Sequence, residues 1–339
     1  MNKIFKFSML LSMASLVAAC GGGGGGGGST SSAAPPPVTS AAVAITAANA
    51  ASAASAVDNS LVFAAGAGTQ AANAPTAAVV SVSGKQFNVV DFSSALLTKI
   101  SSLKSQLTPT AIGAIINSNS PCAGGGSIDV ALDDVDNSGA LSSGDSLTLL
   151  YNNCVESGTT ISGGLSITNF GFTRPSSVAF TSTGKISFSS FAFNDGSTTG
   201  TMNGSLDFSV STADGNLITS TITNASITVV ESGATLTLSG YSINQTNNGS
   251  TGAFTVSASG TVASSKLGGS VTFTTSAPLQ GTGTANPYTG AIKVTGAAAS
   301  SVTLTALDST NIRLDVDANG DGVMEPPAIF MTWTTLNTY

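Results

Sequence analysis

The chain has 339 residues, of which 41% are hydrophobic and 8% are charged, whereas typical soluble domains have roughly 25% charged residues. It contains no histidine, which excludes Ser-His-Asp and Cys-His catalysis and any zinc or haem site that needs an imidazole ligand. These two features argue against a charge-rich cytosolic enzyme. The length allows about two domains, although the first forty residues do not have the composition of a folded domain.

The N-terminus has the pattern of an export signal. Lys3 and Lys6 form a short basic region, and Phe7 to Ala19 is apolar but shorter than the roughly 20 residues that span a bilayer. This pattern predicts a signal peptide over residues 1–19. Its last residues, Val17-Ala18-Ala19-Cys20, resemble the lipobox of bacterial lipoproteins.

The lipobox resemblance implies that Cys20 becomes the first residue of the mature protein and carries a diacylglyceryl group and an N-acyl chain, typically palmitate. Three acyl chains exceed the two membrane signals that stable anchoring needs. Gly21 stands where inner-membrane lipoproteins tend to carry aspartate, so the resemblance favours the outer membrane, facing the periplasm or the cell surface. The alternative is an ordinary secretory signal that is cleaved after Ala19.

Residues 20–40 are predicted to be a linker, since the run Gly21–Gly28 and the triplet Pro35–Pro37 cannot bury a core. Removal of the signal peptide leaves 8 basic against 17 acidic residues, a net charge of −9. No basic cluster is available to neutralise phosphates. Nucleic acid is therefore not an expected partner.

An alanine-rich, helical segment is predicted over residues 41–120. Its strongest helical run extends from Ser40 to about Val62 and is either a packed helix or a disordered stalk. A second helix is predicted from Asp91 to Leu107, where apolar residues recur every three or four positions. Ile112, Ile115 and Ile116 are expected to add one more apolar turn.

Residues 121–339 alternate apolar and polar side chains, the period of strands with one buried face. Turn sequences separate the strands, which predicts antiparallel hairpins. The expected fold is mainly β: an extended antiparallel meander, forming a sandwich, a barrel or a curved open sheet, with the N-terminal helical segment packed on it. The predicted turns are Asn194-Asp195-Gly196, Asp214-Gly215, Asn248-Gly249 and Asn319-Gly320.

Three cysteines are present, and the lipobox accounts for one of them. The remaining pair, Cys122 and Cys154, is expected to form a disulfide in an exported, oxidising compartment. Two buried thiols or a metal-binding pair are the alternatives.

The first of two acidic windows contains a motif. Residues 134–145 read D-V-D-N-S-G-A-L-S-S-G-D, which resembles the twelve-residue calcium loop of EF-hands and dockerins. A closing aspartate in place of glutamate and flanking strands in place of helices favour a structural site of modest affinity over a sensor. A solvated hairpin loop is the alternative. The resemblance implies ligands at Asp134, Asp136, Ser138, Ala140, Ser142 and Asp145.

The second window, residues 314–325, reads L-D-V-D-A-N-G-D-G-V-M-E. Ala328 falls where the closing carboxylate of a calcium loop would lie, and Asn-Gly and Asp-Gly pairs are turn formers in their own right. Calcium binding and a plain turn therefore both remain open. The candidate ligands are Asp315, Asp317, Asn319, Asp321, Val323 and Glu325.

The sequence favours an outer-membrane lipoprotein with a non-catalytic binding, adhesive or structural role, stabilised by calcium and one disulfide. Its partners would be the membrane and a glycan, protein or lipid ligand. A periplasmic carrier, with the strand phenylalanines lining an open β-barrel for lipid or another hydrophobic ligand, is the alternative. A hydrolase has little support, since Ser101 and Lys104 form an S-x-x-K pair without the companion K-T-G.

Overall fold

The computed structural model describes residues 41–58, 60–61, 114–136, 141–156, 158–194, 196, 199–231, 233–283 and 285–339. All the described residues belong to one compact unit, Pro37–Tyr339. The predicted signal peptide, Cys20, the linker, the 91–107 helix and the S-x-x-K pair lie outside the described residues. No helix in the described ranges is long and apolar enough to cross a membrane.

The described part of the chain contains one antiparallel sheet of 14 strands, in which each strand pairs with the next along the chain. The predicted antiparallel meander is therefore confirmed. The strands are β1 (Ala114–Pro121), β2 (Ser127–Asp134), β3 (Ser146–Glu156), β4 (Thr159–Thr173), β5 (Phe180–Asn194), β6 (Thr199–Thr212), β7 (Leu217–Glu231), β8 (Ala234–Asn248), β9 (Ala253–Ser264), β10 (Gly269–Thr282), β11 (Thr289–Thr295), β12 (Ser301–Ala306), β13 (Asn311–Asp317) and β14 (Glu325–Thr332).

Alternating apolar residues give this sheet a buried face. In β2, Ile128, Val130 and Leu132 are buried, while Asp129 and Asp133 lie on the exposed face. The four predicted turns fall in the β5–β6, β6–β7, β8–β9 and β13–β14 connections. In the β6–β7 turn, Asp214 Oδ1 accepts hydrogen bonds from the backbone amides of Asn216 and Leu217. Such local bonds are the reason why these residue types form turns.

The central strands are long, and β-bulges bend them. Strands β4 to β8 have 14 or 15 residues each, and every pairing from β3–β4 to β10–β11 contains a register shift. In β5, Ser190 has a φ of 47°, and the extra residue there places both Phe188 and Phe191 in the core. A bulge increases the bend and twist of its strand.

A helix, α1, packs on the buried face of the sheet. It comprises residues 50–58 and 60–61, within the run predicted to be either a packed helix or a stalk. Ala53, Ala54 and Val57 are each at most 1% exposed and belong to the same core as the strands. The hydroxyl of Tyr241 in β8 donates a hydrogen bond to the carbonyl of Ser60 at 2.9 Å. The helix is therefore part of the core and not a stalk.

The predicted boundary between the helical segment and the β domain at residue 121 is wrong. The sheet begins at Ala114, and Ile115 and Ile116 pair with β2 and do not form a helical turn. Their backbone hydrogen bonds in the sheet outweigh a helical spacing that covered only a few residues. At the other end of the chain, a short helix, α2 (Trp333–Leu336), follows β14 and buries Trp333 and Leu336.

Candidate metal centre

The first acidic window forms the connection between β2 and β3. Asp133 pairs with Ser146, so the next residues, Asp134 and Asp145, face each other where the two strands begin to diverge. Both side chains are buried, with exposures of 1% and 0%, whereas Asp136 is exposed. The hairpin geometry thus brings together acidic residues that are eleven positions apart in sequence.

Three carboxylates converge in this connection. One oxygen from each of Asp134, Asp136 and Asp145 lies within 4.8 Å of the others. Ser142 joins the group, since its hydroxyl donates a hydrogen bond to Asp136 Oδ2 at 2.8 Å. Hard oxygen donors in this arrangement suit calcium, which takes six to eight oxygen ligands.

Backbone amides fix the position of the Asp145 carboxylate. Oδ1 accepts a hydrogen bond from the amide of Val135 at 2.8 Å, and Oδ2 accepts one from the amide of Ser142 at 2.6 Å. The carboxylate therefore ties the two ends of the loop together. The structure brings together four of the six predicted ligands, and the other two, Ser138 and Ala140, lie outside the described residues.

The predicted disulfide is confirmed at the opposite end of the same strands. Cys122 and Cys154 are bonded, with their Cα atoms 5.4 Å apart. The bond links the β1–β2 hairpin to β3, and the backbone adds two more links, from Gly124 N to the Val155 carbonyl and from Val155 N to the Gly125 carbonyl, each 2.9 Å long. The disulfide and the acidic group thus lie at the two ends of β2.

The second acidic window is organised differently. Asp317 is 2% exposed, and its carboxylate accepts hydrogen bonds from the amides of Gly320 (2.7 Å) and Gly322 (2.9 Å). Glu325 accepts from the amide of Ala318 at 2.8 Å. These bonds close the turn with its own backbone.

The remaining candidate ligands of the second window do not join a three-carboxylate group. Asp321 Oδ1 accepts from the amide of Val323 at 2.7 Å, and Asn319 Nδ2 donates to Asp321 Oδ2 at 3.1 Å. Asp315 instead pairs with Arg313 at 2.8 Å. In the described ranges, three acidic groups approach one another closely in the first window and not in the second.

One further acidic residue lies in the core, at a position that the sequence did not predict to be buried. Asp58 lies on α1 and is 8% exposed, and burial raises the pKa of its carboxyl to about 7. The nearby carboxyl and burial together raise the pKa of the Tyr241 hydroxyl, with burial the larger cause. An aspartate on an alanine-rich helix gives no local signal that it will be buried.

Comparison with known proteins gives no relatives for this fold or this acidic group. No family model, no curated protein and no solved structure matches the chain.

Proposed function

We propose that this protein is a non-catalytic binding or adhesive module of the bacterial outer membrane, anchored by lipid on Cys20. A calcium ion between β2 and β3 and the Cys122–Cys154 disulfide stabilise one edge of its sheet. The N-terminal basic region, apolar stretch and lipobox support the location. The binding role is supported by the polar side chains on the exposed face of the sheet and by the packing of α1 on its buried face.

The converging carboxylates of Asp134, Asp136 and Asp145 are the observation that carries the calcium proposal. Two like charges no more than 4.8 Å apart repel by roughly 3 kcal/mol or more at an effective dielectric constant of 20. Because two of the three side chains are buried, water screens this repulsion poorly. A bound cation would convert the repulsion into attraction, with Ser142 and backbone or water oxygens available to complete the shell.

The buried face supports a binding module over the carrier alternative. A carrier needs an apolar space for its ligand, but α1 packs on this face and its side chains share one continuous core with the strands. Phe188, Phe191 and Phe208 belong to that core. These three phenylalanines therefore contribute to packing. We propose that the ligand contacts the exposed face of the sheet.

Calcium titration tests the metal proposal. Isothermal titration calorimetry on the full-length chelator-treated protein should detect one calcium ion at submillimolar to millimolar affinity, the range of extracellular modules. Asp136→Asn should weaken binding at least tenfold, since this exposed ligand can change without loss of core packing. The control is Asp133→Asn, which changes the exposed aspartate immediately before Asp134 in β2. This variant should bind calcium as the wild type does. Unchanged binding by Asp136→Asn, or none by the wild type, would overturn the proposal.

Mass spectrometry of the membrane fraction tests the anchor. The mature protein should begin at Cys20 and carry the mass of three acyl chains, and Cys20→Ser should remove both the lipid and the cleavage. A mature chain that begins at Cys20 without lipid would identify an ordinary secretory signal instead.

A further inference from the structure

The exposed face of β1, β2 and β3 contains a depression. The register places Asn117, Ala131 and Thr148 side by side in one row across the three strands, and Asn119, Asp129 and Leu150 side by side in the next row. Residues in one row project from the same face of a sheet. Because the alanine side chain is a single methyl group between longer neighbours, it lies at the floor of an open depression of about 370 Å³.

A fixed carboxylate lies in the second of these rows, beside the floor of the depression. Asn119 Nδ2 donates to Asp129 Oδ1, and Asn152 Nδ2 donates to Asp129 Oδ2 at 2.8 Å. These two hydrogen bonds, with that of Asn119 the larger cause, lower the pKa of the Asp129 carboxyl. The carboxylate is thus ionised and held in one orientation, and each oxygen still has a lone pair that can accept another hydrogen bond.

An apolar side chain lies beside the carboxylate in the same row, since Leu150 is the cross-strand partner of Asp129. Leu150 is 47% exposed, and Ala131 and Thr148 also line the depression. The depression therefore combines a hydrogen-bond-accepting side with an apolar side. A few fixed polar groups beside apolar surface are typical of small-molecule sites.

We propose that this depression binds a neutral saccharide, with ring hydroxyls donating to Asp129 and the C–H face of the ring packing on Leu150 and Ala131. A hydroxyl donating to a carboxylate forms a charge-assisted bond, stronger than one to a neutral acceptor. A cation fits less well, since the amide N–H groups of Asn119 and Asn152 already direct positive charge at both carboxylate oxygens. This assignment gives a ligand class to the proposed binding role and rests on that role.

Saccharide titration tests the assignment. The full-length protein, purified in a detergent without a sugar headgroup, is titrated with cellohexaose, chitohexaose and mannohexaose by calorimetry and saturation-transfer NMR, and with spermidine as a cationic probe. At least one hexasaccharide should bind. Asp129→Asn, which removes the charge, and Ala131→Leu, which fills the floor, should each weaken that binding at least tenfold. Asp133→Asn, on the same face of β2 but away from the cavity, should change it less than twofold.

Three results would overturn the saccharide site: no hexasaccharide binding by the wild type, binding that survives both Asp129→Asn and Ala131→Leu, or binding of spermidine alone. Calcium titration of the same samples separates this failure from failure of the calcium proposal. A wild-type protein that binds calcium but no hexasaccharide would overturn the saccharide site and leave the metal centre standing, and one that binds a hexasaccharide but no calcium would do the reverse.

Discussion

Replacing Asp58 with asparagine should stabilise the protein at neutral and alkaline pH. Asp58 lies on α1 within the core, and burial raises its pKa to about 7. In the unfolded chain the same carboxyl ionises near 3.8. Folding therefore requires either uptake of a proton or burial of a charge. Asparagine keeps the shape of the side chain and removes the ionisation.

The magnitude follows from the two pKa values. Because the folded pKa is raised, this carboxyl does not lower the free energy of unfolding below about pH 4, where it is protonated in both the folded and the unfolded state. The free energy of unfolding falls as the pH rises from about 4 to the folded pKa of about 7, and the loss is complete above that pH. A rise from 3.8 to about 7 corresponds to about 4 kcal/mol at one pKa unit per 1.36 kcal/mol.

Urea unfolding measured by circular dichroism between pH 5 and 8.5, at fixed calcium, checks this prediction. The difference in unfolding free energy between Asp58→Asn and the wild type should increase by about 3 kcal/mol across this range, most of it below pH 7.5. Asp133→Asn, an exposed control, should run parallel to the wild type. If the Asp58→Asn and wild-type curves were also parallel, the carboxyl would have the same pKa in both states and the reasoning would be refuted.

Three further experiments with substituted proteins test other parts of the fold. Replacing Cys122 and Cys154 together with alanine opens a loop that spans 32 positions and should cost about 3 to 4 kcal/mol in urea unfolding; a loss below about 1 kcal/mol would show that backbone bonds alone hold this hairpin. Gly204→Ala should destabilise far more than Gly233→Ala. Both glycines have positive φ, but only at Gly204 would a Cβ meet another backbone atom, at 1.9 Å, so equal melting temperatures for the two variants would contradict the bulge geometry. Asp317→Asn should cost about 1 to 3 kcal/mol at every calcium concentration if the second acidic window is a plain turn, whereas a loss confined to calcium-containing buffer would identify a metal site.

The sheet was predictable because its signal is local. Alternation along Ile128–Leu132 or Ile312–Val316 reports which face of a strand is buried, and Asn-Gly and Asp-Gly pairs report where hairpins turn. The start of the sheet at Ala114 was not predictable, since adjacent isoleucines fit a helix and a buried strand equally well. The packing of α1 could not be predicted from the sequence either, because the contacts of its alanines depend on how closely strands that are distant in sequence approach the helix.

Part of the candidate site was also predictable from the sequence and part was not. Asp134, Asp136 and Asp145 were found from spacing within one loop, and the hairpin then brought them together. Asp58 was missed because its burial depends on strands more than 150 positions later in the chain, such as the one that carries Tyr241. The cluster around Asp129 was missed because it requires the register of three strands at once, which alternation alone does not define.

The arrangement of β2 links the stabilising devices to the exposed depression. Its eight residues span roughly 25 Å, with the disulfide hairpin at one end and the acidic group at the other. Asp129 and Ala131 lie between them. As the neighbour of β1, which has a partner on only one side among the described residues, β2 lies next to an edge where strands separate most readily. Fixing both ends of the β2–β3 pair keeps the rows across these strands in register, and a binding surface built from three strands exists only in that register. Under the proposed function, the disulfide and the acidic group at this edge therefore serve recognition as well as stability.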